Sequence, residues 1–321
     1  MMSDWTQKDI PDLTGKFVVV TGANSGLGFE SSQELARHGA ALVMAVRNME
    51  KGEKAQAKIV REVPGAALDV MKLDMGSLDS VREFVHAFKE KYDRLDILLN
   101  NAGLMAIPYQ ETVDGFEMQL GVNHLGHFAL TGLLLDVLMN TPGARIHNVS
   151  SSANFFGKID PDHLLGKEDY SRWGAYGQSK LANVLFTFEL QKRLSAAGAD
   201  TMANVSHPGL VIGNLQANSM QQSGTSYEGI FYRLAQPFLA RDISVGVRPM
   251  LYAMTAPEAR GGVLYGPKYI HHLGPVAEVK ANDAAYDPRT LERFWEVSET
   301  LTGVTFDFTP KGPGTSDVPG A

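Results

Sequence analysis

Residues 21–28 read Thr21-Gly22-Ala23-Asn24-Ser25-Gly26-Leu27-Gly28, directly after the β-rich run KFVVVT at 16–21. Three glycines spaced G-x-x-x-G-x-G between an apolar strand and a helix leave few folds open. Glycine is needed where the backbone turns sharply and must come close to another group. A helix that starts inside such a turn presents free N–H groups and its positive dipole end to an anion. The turn therefore predicts a dinucleotide site, with Gly22, Asn24, Ser25, Gly26, Leu27 and Gly28 around the pyrophosphate. A loop serving only as a turn is the plainer alternative. The strand before it and the helix after it argue against that.

The rest of the chain repeats the same alternation. Strand-like apolar runs occupy 16–21, 41–46, 67–73, 97–99, 145–149, 201–207 and 262–265, the last of them short. Helical spacing covers 29–38, 50–62, 77–92, 115–138 and 176–196; Gly39 stops the first of these and Ser77 caps the third. Near-continuous apolar strands separated by helices imply a parallel sheet covered on both faces. Right-handed crossovers then give an α/β fold with a doubly wound parallel sheet, Rossmann-type, in three α/β/α layers. One domain over 1–308 is expected. Two stretches interrupt the alternation, near 154–174 and 212–242, and loops that long in a compact domain carry function or small helices. The Pro- and Gly-rich tail, 309–321, is expected to fray.

Composition narrows the function classes. With 29 basic and 36 acidic residues the formal charge is −7, which argues against nucleic acid as a partner. There is no cysteine, hence no disulfide and no thiolate chemistry, as fits a reducing cytoplasm. The polar start is not a signal peptide. The longest apolar-rich run, 128–139, is broken by Thr131 and Asp136 and is too short for a transmembrane segment.

The end of the second strand chooses the cofactor. An acidic residue there would bind both ribose hydroxyls of NAD. This chain has Ala45-Val46-Arg47-Asn48, with no acid. A guanidinium suits a 2′-phosphate, so Arg47, with Asn48 beside it, predicts NADP(H). The plainer alternative is a solvated surface arginine. Asp74, next to Met75, ends the third strand; it either accepts from the adenine amine or caps a helix.

Tyr176-Gly177-Gln178-Ser179-Lys180 opens a helix, and positions i and i+4 share a face. A free tyrosine, with a pKa of about 10, is too weak an acid for proton transfer near neutrality. A nearby cation favours the phenolate. The pair suits proton exchange with an alcohol or carbonyl while a nicotinamide moves hydride. A tyrosine and lysine at this spacing are common by chance, so the pair alone says little.

The motifs in order say more. The glycine turn, Asn100-Asn101-Ala102-Gly103, Val122-Asn123-His124, Val149-Ser150-Ser151-Ser152, Tyr176 with Lys180, and Pro208-Gly209 together resemble the short-chain dehydrogenase/reductase family over about 13–303. The resemblance implies roles. Ser151, chosen over Ser150 and Ser152 by its register from Arg145, would hydrogen-bond the substrate oxygen. Tyr176 would be the acid/base. Lys180 would lower the tyrosine pKa and hold the nicotinamide ribose, and Asn123 would anchor a water leading protons to Lys180. Asn101, Ala102 and Gly103 would line the adenine ribose. Val211, just past Pro208 and Gly209, would approach the nicotinamide amide. Arg47-Asn48 with Lys51-Gly52, the run 123–128, YGQSKLAN at 176–183 and 295–298 look like the retinol dehydrogenases and their bacterial relatives. One departure is Gly213, followed by Asn214, where the family often has a threonine. A homo-oligomer paired through 115–138 and 176–196 is the family's habit, with the inserts as an obstacle.

Other signals carry less. His124 and His127 are three apart on a helix, but no further ligand stands at a metal spacing and no metal is expected. His207, His271 and His272 read as structural or surface residues. Phe155, Phe156 and Trp173 before Tyr176, and Met220, Tyr227, Ile230, Phe231, Tyr232 and Phe238 after Pro208, either form a lid over an apolar pocket or serve ordinary packing or a subunit interface. The reading is an oxidoreductase acting on a hydrophobic small-molecule carbonyl or alcohol. Two rivals stand beside it. One is a non-catalytic NADP sensor or scaffold, although such proteins tend to lose the tyrosine or lysine. The other is light-dependent protochlorophyllide reduction, whose enzymes generally carry Tyr-Lys-Asp-Ser-Lys and a cysteine.

Overall fold

The computed structural model describes residues 5–164, 166–210, 242–269 and 273–309. Its strands are β1 (Phe17–Thr21), β2 (Ala41–Val46), β3 (Leu68–Lys72), β4 (Ile97–Asn100), β5 (Arg145–Val149), β6 (Met202–Ser206), β7 (Leu264–Tyr269) and β8 (Leu273–Val279). The helices, in chain order, are α1 (Gly26–Arg37), α2 (Met49–Glu62), α3 (Leu78–Lys91), the single turn α4 (Met118–Leu120), α5 (Gly126–Leu133) and α6 (Leu135–Met139). They continue with α7 (Arg172–Ala196), α8 (Ile243–Gly246), α9 (Arg248–Thr255) and α10 (Pro288–Thr302).

The strands form one sheet in the order β3-β2-β1-β4-β5-β6-β7-β8. β1 to β7 run parallel and β8 returns antiparallel to β7. Successive side chains leave opposite faces of a strand, and here both faces are apolar. Val19, Val43, Ala45, Leu98, Ile146 and Ala203 pack under α3, α5 and α7. Val18, Val20, Leu42, Met44, Ile97 and Leu99 pack under α1, α2 and α9. The doubly wound three-layer α/β fold expected from the alternation is the one observed. Each wholly buried large aliphatic or aromatic side chain contributes about 1.5–3 kcal/mol, so α3 is held chiefly by Val81, Phe84 and Phe88. Ser77 caps α3 as expected, its hydroxyl accepting from the Ser80 N–H.

Four sequence expectations need correction. The helix expected over 115–138 is not continuous. It starts at Met118, and Gly121–Leu125 form a π-turn in which the Gly126 N–H reaches back to the Gly121 carbonyl. Close packing accompanies the irregularity: a Cβ on Gly121 would sit 2.5 Å from the Thr112 methyl, and one on Gly126 would strike the Met75 carbonyl. The helix expected from Tyr176 begins earlier, at Arg172, where the Ser171 hydroxyl accepts from the Gly174 N–H. The strand expected last at 262–265 is followed by β8. Pro275 hides β8 in the sequence but is tolerated there because β8 lies at the sheet edge. Finally, α10, with Pro288 in its first turn and Asp287 as its cap, was not read as a helix.

α10 packs on α5 and α7. Phe128, Phe186, Trp295 and Phe306 form an aromatic cluster with centroids 4.6–6.1 Å apart. The helix pair named above for oligomer contacts is therefore covered on this side by the chain's own C-terminal helix. Most of the 212–242 insert lies outside the described residues. So do Gly213, Asn214, Met220, Tyr227, Ile230, Phe231, Tyr232, Phe238, His271, His272 and the tail from 310.

Candidate active site

The chain changes winding direction between β1 and β4, which lie side by side. In a doubly wound sheet, ligands bind in the crevice beyond the strand ends at such a switch point. The glycine turn sits there. Gly22 and Gly26 have φ of +66° and +59°, a region that disfavours side chains. Gly28 is bare for another reason: a Cβ would lie 2.5 Å from both the Gly22 carbonyl oxygen and Asn101 Nδ2. Ser25 occupies the N-cap of α1, but its side chain caps nothing. The first-turn N–H groups thus have no side-chain cap. This cradle fits an anionic pyrophosphate. Asn24 and Leu27 are half-buried in the same turn, and Leu27 leans on the core below.

Arg47 and Asn48 lie exposed just past β2. Asn48 is engaged as the cap of α2, accepting from the Lys51 N–H. Arg47 makes no hydrogen bond or ion pair with another described residue. Asp74 does not cap a helix: one carboxylate oxygen accepts from the Gly76 N–H, and Ser77 does the capping. Met75 is buried and backs onto Gly126.

Thr21, at the end of β1, organises the turn after β4. Its hydroxyl accepts from the Asn101 and Ala102 N–H groups, both at 2.9 Å. Asn101 Nδ2 donates to the Thr21 carbonyl. Gly103 follows, and a Cβ there would lie 3.0 Å from Asn123 Oδ1 and 3.4 Å from Lys180 Nζ. The turn expected along the adenine ribose thus reaches the residues expected to move protons.

Asn123 lies in the π-turn and is wholly buried. Its side-chain amide exchanges two hydrogen bonds with the Leu104 backbone and donates a third to the Ser179 hydroxyl. Lys180 is buried on α7, its Nζ donating to the Val149 carbonyl at 3.1 Å. No carboxylate lies against it among the described residues, and burial lowers its pKa from 10.5 to about 8. Its Nζ lies 6.0 Å from the centre of the Tyr176 ring, so the two residues do share a face. Tyr176 is largely buried, with the Trp173 indole edge-on at 6.0 Å.

The three serines after β5 separate by environment. Ser150 is buried and donates to the Lys180 carbonyl. Ser151 is half-buried, its hydroxyl accepting, among the described residues, a single 3.3 Å contact from the Ala153 N–H. Ser152 meets His207 Nδ1 at 3.4 Å. His207 follows β6 as a buried residue, with Pro208 and Gly209 (φ +74°) after it. Val211 lies outside the described residues. Phe155 packs edge-on to His207, while Phe156 is exposed against Gly177.

His124 and His127 each meet neighbouring polar groups of the core. His124 Nε2 meets the Ser298 hydroxyl, and His127 joins Thr21 and Asn123. Burial pushes both down to about 3. Among the described residues no group of three or more ligating side chains is assembled. Sequence reasoning missed the part played by Thr21 and Asn183; the Asn183 side chain shares the Val149 carbonyl with Lys180. Their signal was polarity at positions facing a core.

The model of the short chain dehydrogenase family matches residues 16–224. Mouse retinol dehydrogenase 12 is 39% identical over 295 residues, covering 92% of this chain and 89% of its own. Human retinol dehydrogenase 13 is 40% identical, covering 91% of this chain and 86% of its own. The crystal structure of an uncharacterised protein from Mycobacterium paratuberculosis superposes with a TM-score of 0.77 at 39% identity, covering 94% of this chain and 99% of that one. The chain belongs to the short-chain dehydrogenase family of oxidoreductases, in its retinol dehydrogenase-like part.

Proposed function

We propose that this chain interconverts a carbonyl and an alcohol on a hydrophobic small molecule, with NADP(H) as cofactor. The observation that carries the reading is Lys180: a buried cation, lowered to about 8, one helical turn from Tyr176. A desolvated ammonium beside a phenol favours the phenolate, which brings the tyrosine toward proton transfer near neutrality.

The glycine cradle 22–28 would hold the pyrophosphate, and Asn101 to Gly103 with Asp74 and Met75 the adenosine. Arg47 and Asn48 would meet the 2′-phosphate, and Pro208, Gly209 and Val211 the nicotinamide side. Bound there, the cofactor supplies or accepts the hydride. Ser151, whose hydroxyl is the least engaged of the three serines in its contacts, orients the substrate oxygen and stabilises charge on it. Tyr176 gives the proton to that oxygen in reduction and takes it back in oxidation. Lys180 holds the tyrosine near its working protonation state, and Asn123 fixes the polar floor beneath Gly103.

Trp173 and Phe155 near Tyr176 and Ser151 support an apolar substrate. Among the described residues no helix is long and apolar enough to cross a membrane. The cysteine-free composition fits the cytoplasm as its compartment.

The test follows NADPH consumption against a panel of hydrophobic aldehydes and ketones, with NADH alongside and Tyr176→Phe as control. Turnover that disappears in the variant while NADPH still binds is expected. An unaltered chain that binds NADPH and reduces nothing across the panel would sink the catalytic reading in favour of a sensor.

A further inference from the structure

We propose that His127 is a positioning residue: its neutral imidazole ties the Asn123 carbonyl to the Thr21 hydroxyl, locking the catalytic floor to the cofactor turn. The cofactor half of the inference rests on geometry, and the catalytic half rests on the proposed function.

The hydroxyl of Thr21 fixes the tautomer. A hydroxyl has one proton and two lone pairs. Both lone pairs are taken by the Asn101 and Ala102 N–H groups, each at 2.9 Å. The proton must then go outward, either to His127 Nε2 at 2.9 Å or to the Leu99 carbonyl at 3.3 Å. The shorter contact makes Nε2 an acceptor. The ring proton therefore sits on Nδ1, which faces the Asn123 carbonyl at 3.2 Å. An imidazolium would point a second N–H at a hydroxyl with no lone pair free. Burial of the ring works in the same direction.

The π-turn gives this contact its place. Gly121–Leu125 shift the backbone bonding to i→i+5, and Asn123 sits inside that shift. His127, one turn on, brings a side-chain donor to the Asn123 carbonyl. The Asn123 side chain meanwhile holds Leu104 and Ser179, and Gly103 lies between Asn123 and Lys180. One ring thus touches both the residue that floors the catalytic lysine and the residue that shapes the Asn101–Ala102 turn. The ring is wholly internal, so it acts through these partners and not on substrate.

The two arms can be cut separately. In His127→Asn the amide Nδ2 replaces the Nδ1 donor and does not reach Thr21. In His127→Gln the side-chain oxygen reaches Thr21, and the donor toward Asn123 is withdrawn. Each variant is compared with the unaltered chain for NADPH affinity by fluorescence and for kcat at saturating NADPH. The Asn variant should bind NADPH about tenfold more weakly with kcat within about threefold, one hydrogen bond being worth about this much. The Gln variant should show the reverse split, kcat down about tenfold with affinity within about threefold. Thr21→Val also strips the Asn101 and Ala102 N–H groups of their acceptor, so it should weaken NADPH more than the Asn variant does. Adding His127→Asn to it should then cost no further affinity, and a further loss of about tenfold would overturn the cofactor arm. Should the Asn variant fail to fold, the kcat-against-affinity split of the Gln variant decides. Equal losses in both parameters for both variants would mean plain packing and overturn the proposal, as would no change in either. If the unaltered chain turns over no substrate, the proposed function fails, and the proposal then stands or falls on NADPH affinity alone: weakened by His127→Asn and Thr21→Val, kept by His127→Gln.

Discussion

Helix α7 buries two charges and treats them in opposite ways. Toward its start, Lys180 is buried, its Nζ donating to the Val149 carbonyl, and burial depresses its pKa to about 8. Toward its end, the Glu189 carboxylate is 2% exposed and is met by two cations, Lys192 at 3.1 Å and Arg193 at 2.8 Å. Arg193 in turn stacks over Trp295, 4.5 Å from the ring centre, which ties the pair into the aromatic cluster under α10. A buried charge costs several kcal/mol unless it is paired. Glu189 is neutralised locally, as a structural charge should be. Lys180 has no counter-charge among the described residues and lies by Tyr176 and the floor made by Asn123 and Gly103. The same helix thus spends stability at one end and recovers it at the other, and the uncompensated end is the one with chemistry to perform.

The most direct way to break this contrast is Lys180→Met. Turnover should fall by about 10²–10⁴-fold, the usual worth of a general acid/base whose pKa is no longer tuned. The folded chain should nevertheless become more stable at neutral pH, by roughly 1–3 kcal/mol, because a desolvated ammonium has been replaced by an apolar side chain of similar length. The Val149 carbonyl keeps its bond from Asn183, so no new unpaired group appears. The pH dependence separates this from simple better packing. The folded pKa of about 8 lies below the ordinary 10.5, so the folded state binds the proton less tightly than the unfolded one. Below about 8 both states are protonated and the native state carries the full penalty. Between about 8 and 10.5 the unfolded chain holds more protons, and stability rises with pH. The advantage of Lys180→Met in urea unfolding should therefore shrink across that window. An advantage constant from neutral to alkaline pH would contradict the assignment.

Glu189→Gln probes the other end. Lys192 and Arg193 are partly exposed, so freeing them strands no buried cation. The expected loss is about 1–2 kcal/mol, less than a fully buried pair would show. kcat and NADPH affinity should stay unchanged. A loss of turnover without a loss of stability would erase the distinction between the two ends.

Much of this was legible in the sequence because it depends on local pattern. The glycine turn, the apolar strands and the spacing of Tyr176 and Lys180 are each written within a few residues. The family resemblance then gave roles to Asn123 and Ser151, and the structure adds a physical reason for preferring Ser151: Ser150 is already bonded to the Lys180 carbonyl. What escaped depends on contacts distant in sequence. The interruption of the 115–138 helix is accompanied by packing against Met75 and Thr112. His127 read as a plain structural histidine because its partner Thr21, on β1, is 106 residues away in the chain. β8 escaped because a proline in an edge strand looks like a turn, and α10 because its apolar face answers to Phe128 and Phe186 on other helices. The pairing of Glu189 with Arg193 was readable as an i,i+4 pair, but its burial was not.

Arg47 extends the contrast to a third charge and gives the smallest expected effect. It is exposed and makes no ion pair with a described residue, so its folded-state worth is close to nothing and Arg47→Ala should leave thermal stability unchanged. Its value, on the proposed function, is deferred to a 2′-phosphate. Removing one guanidinium–phosphate contact at an exposed site should weaken NADPH about tenfold and leave NADH alone. The loss should narrow as salt is raised, because screening acts strongly on exposed charges. Parallel titrations of NADPH and NADH at low and high salt provide the measurement. Equal weakening of both cofactors would place Arg47 at the shared pyrophosphate or in the fold of the turn. No change in either would make it a solvated surface residue and leave the preference for NADPH without its stated cause. A selective, salt-sensitive loss is the outcome that distinguishes a charge kept exposed for a ligand from one kept exposed because water is the cheapest place for it.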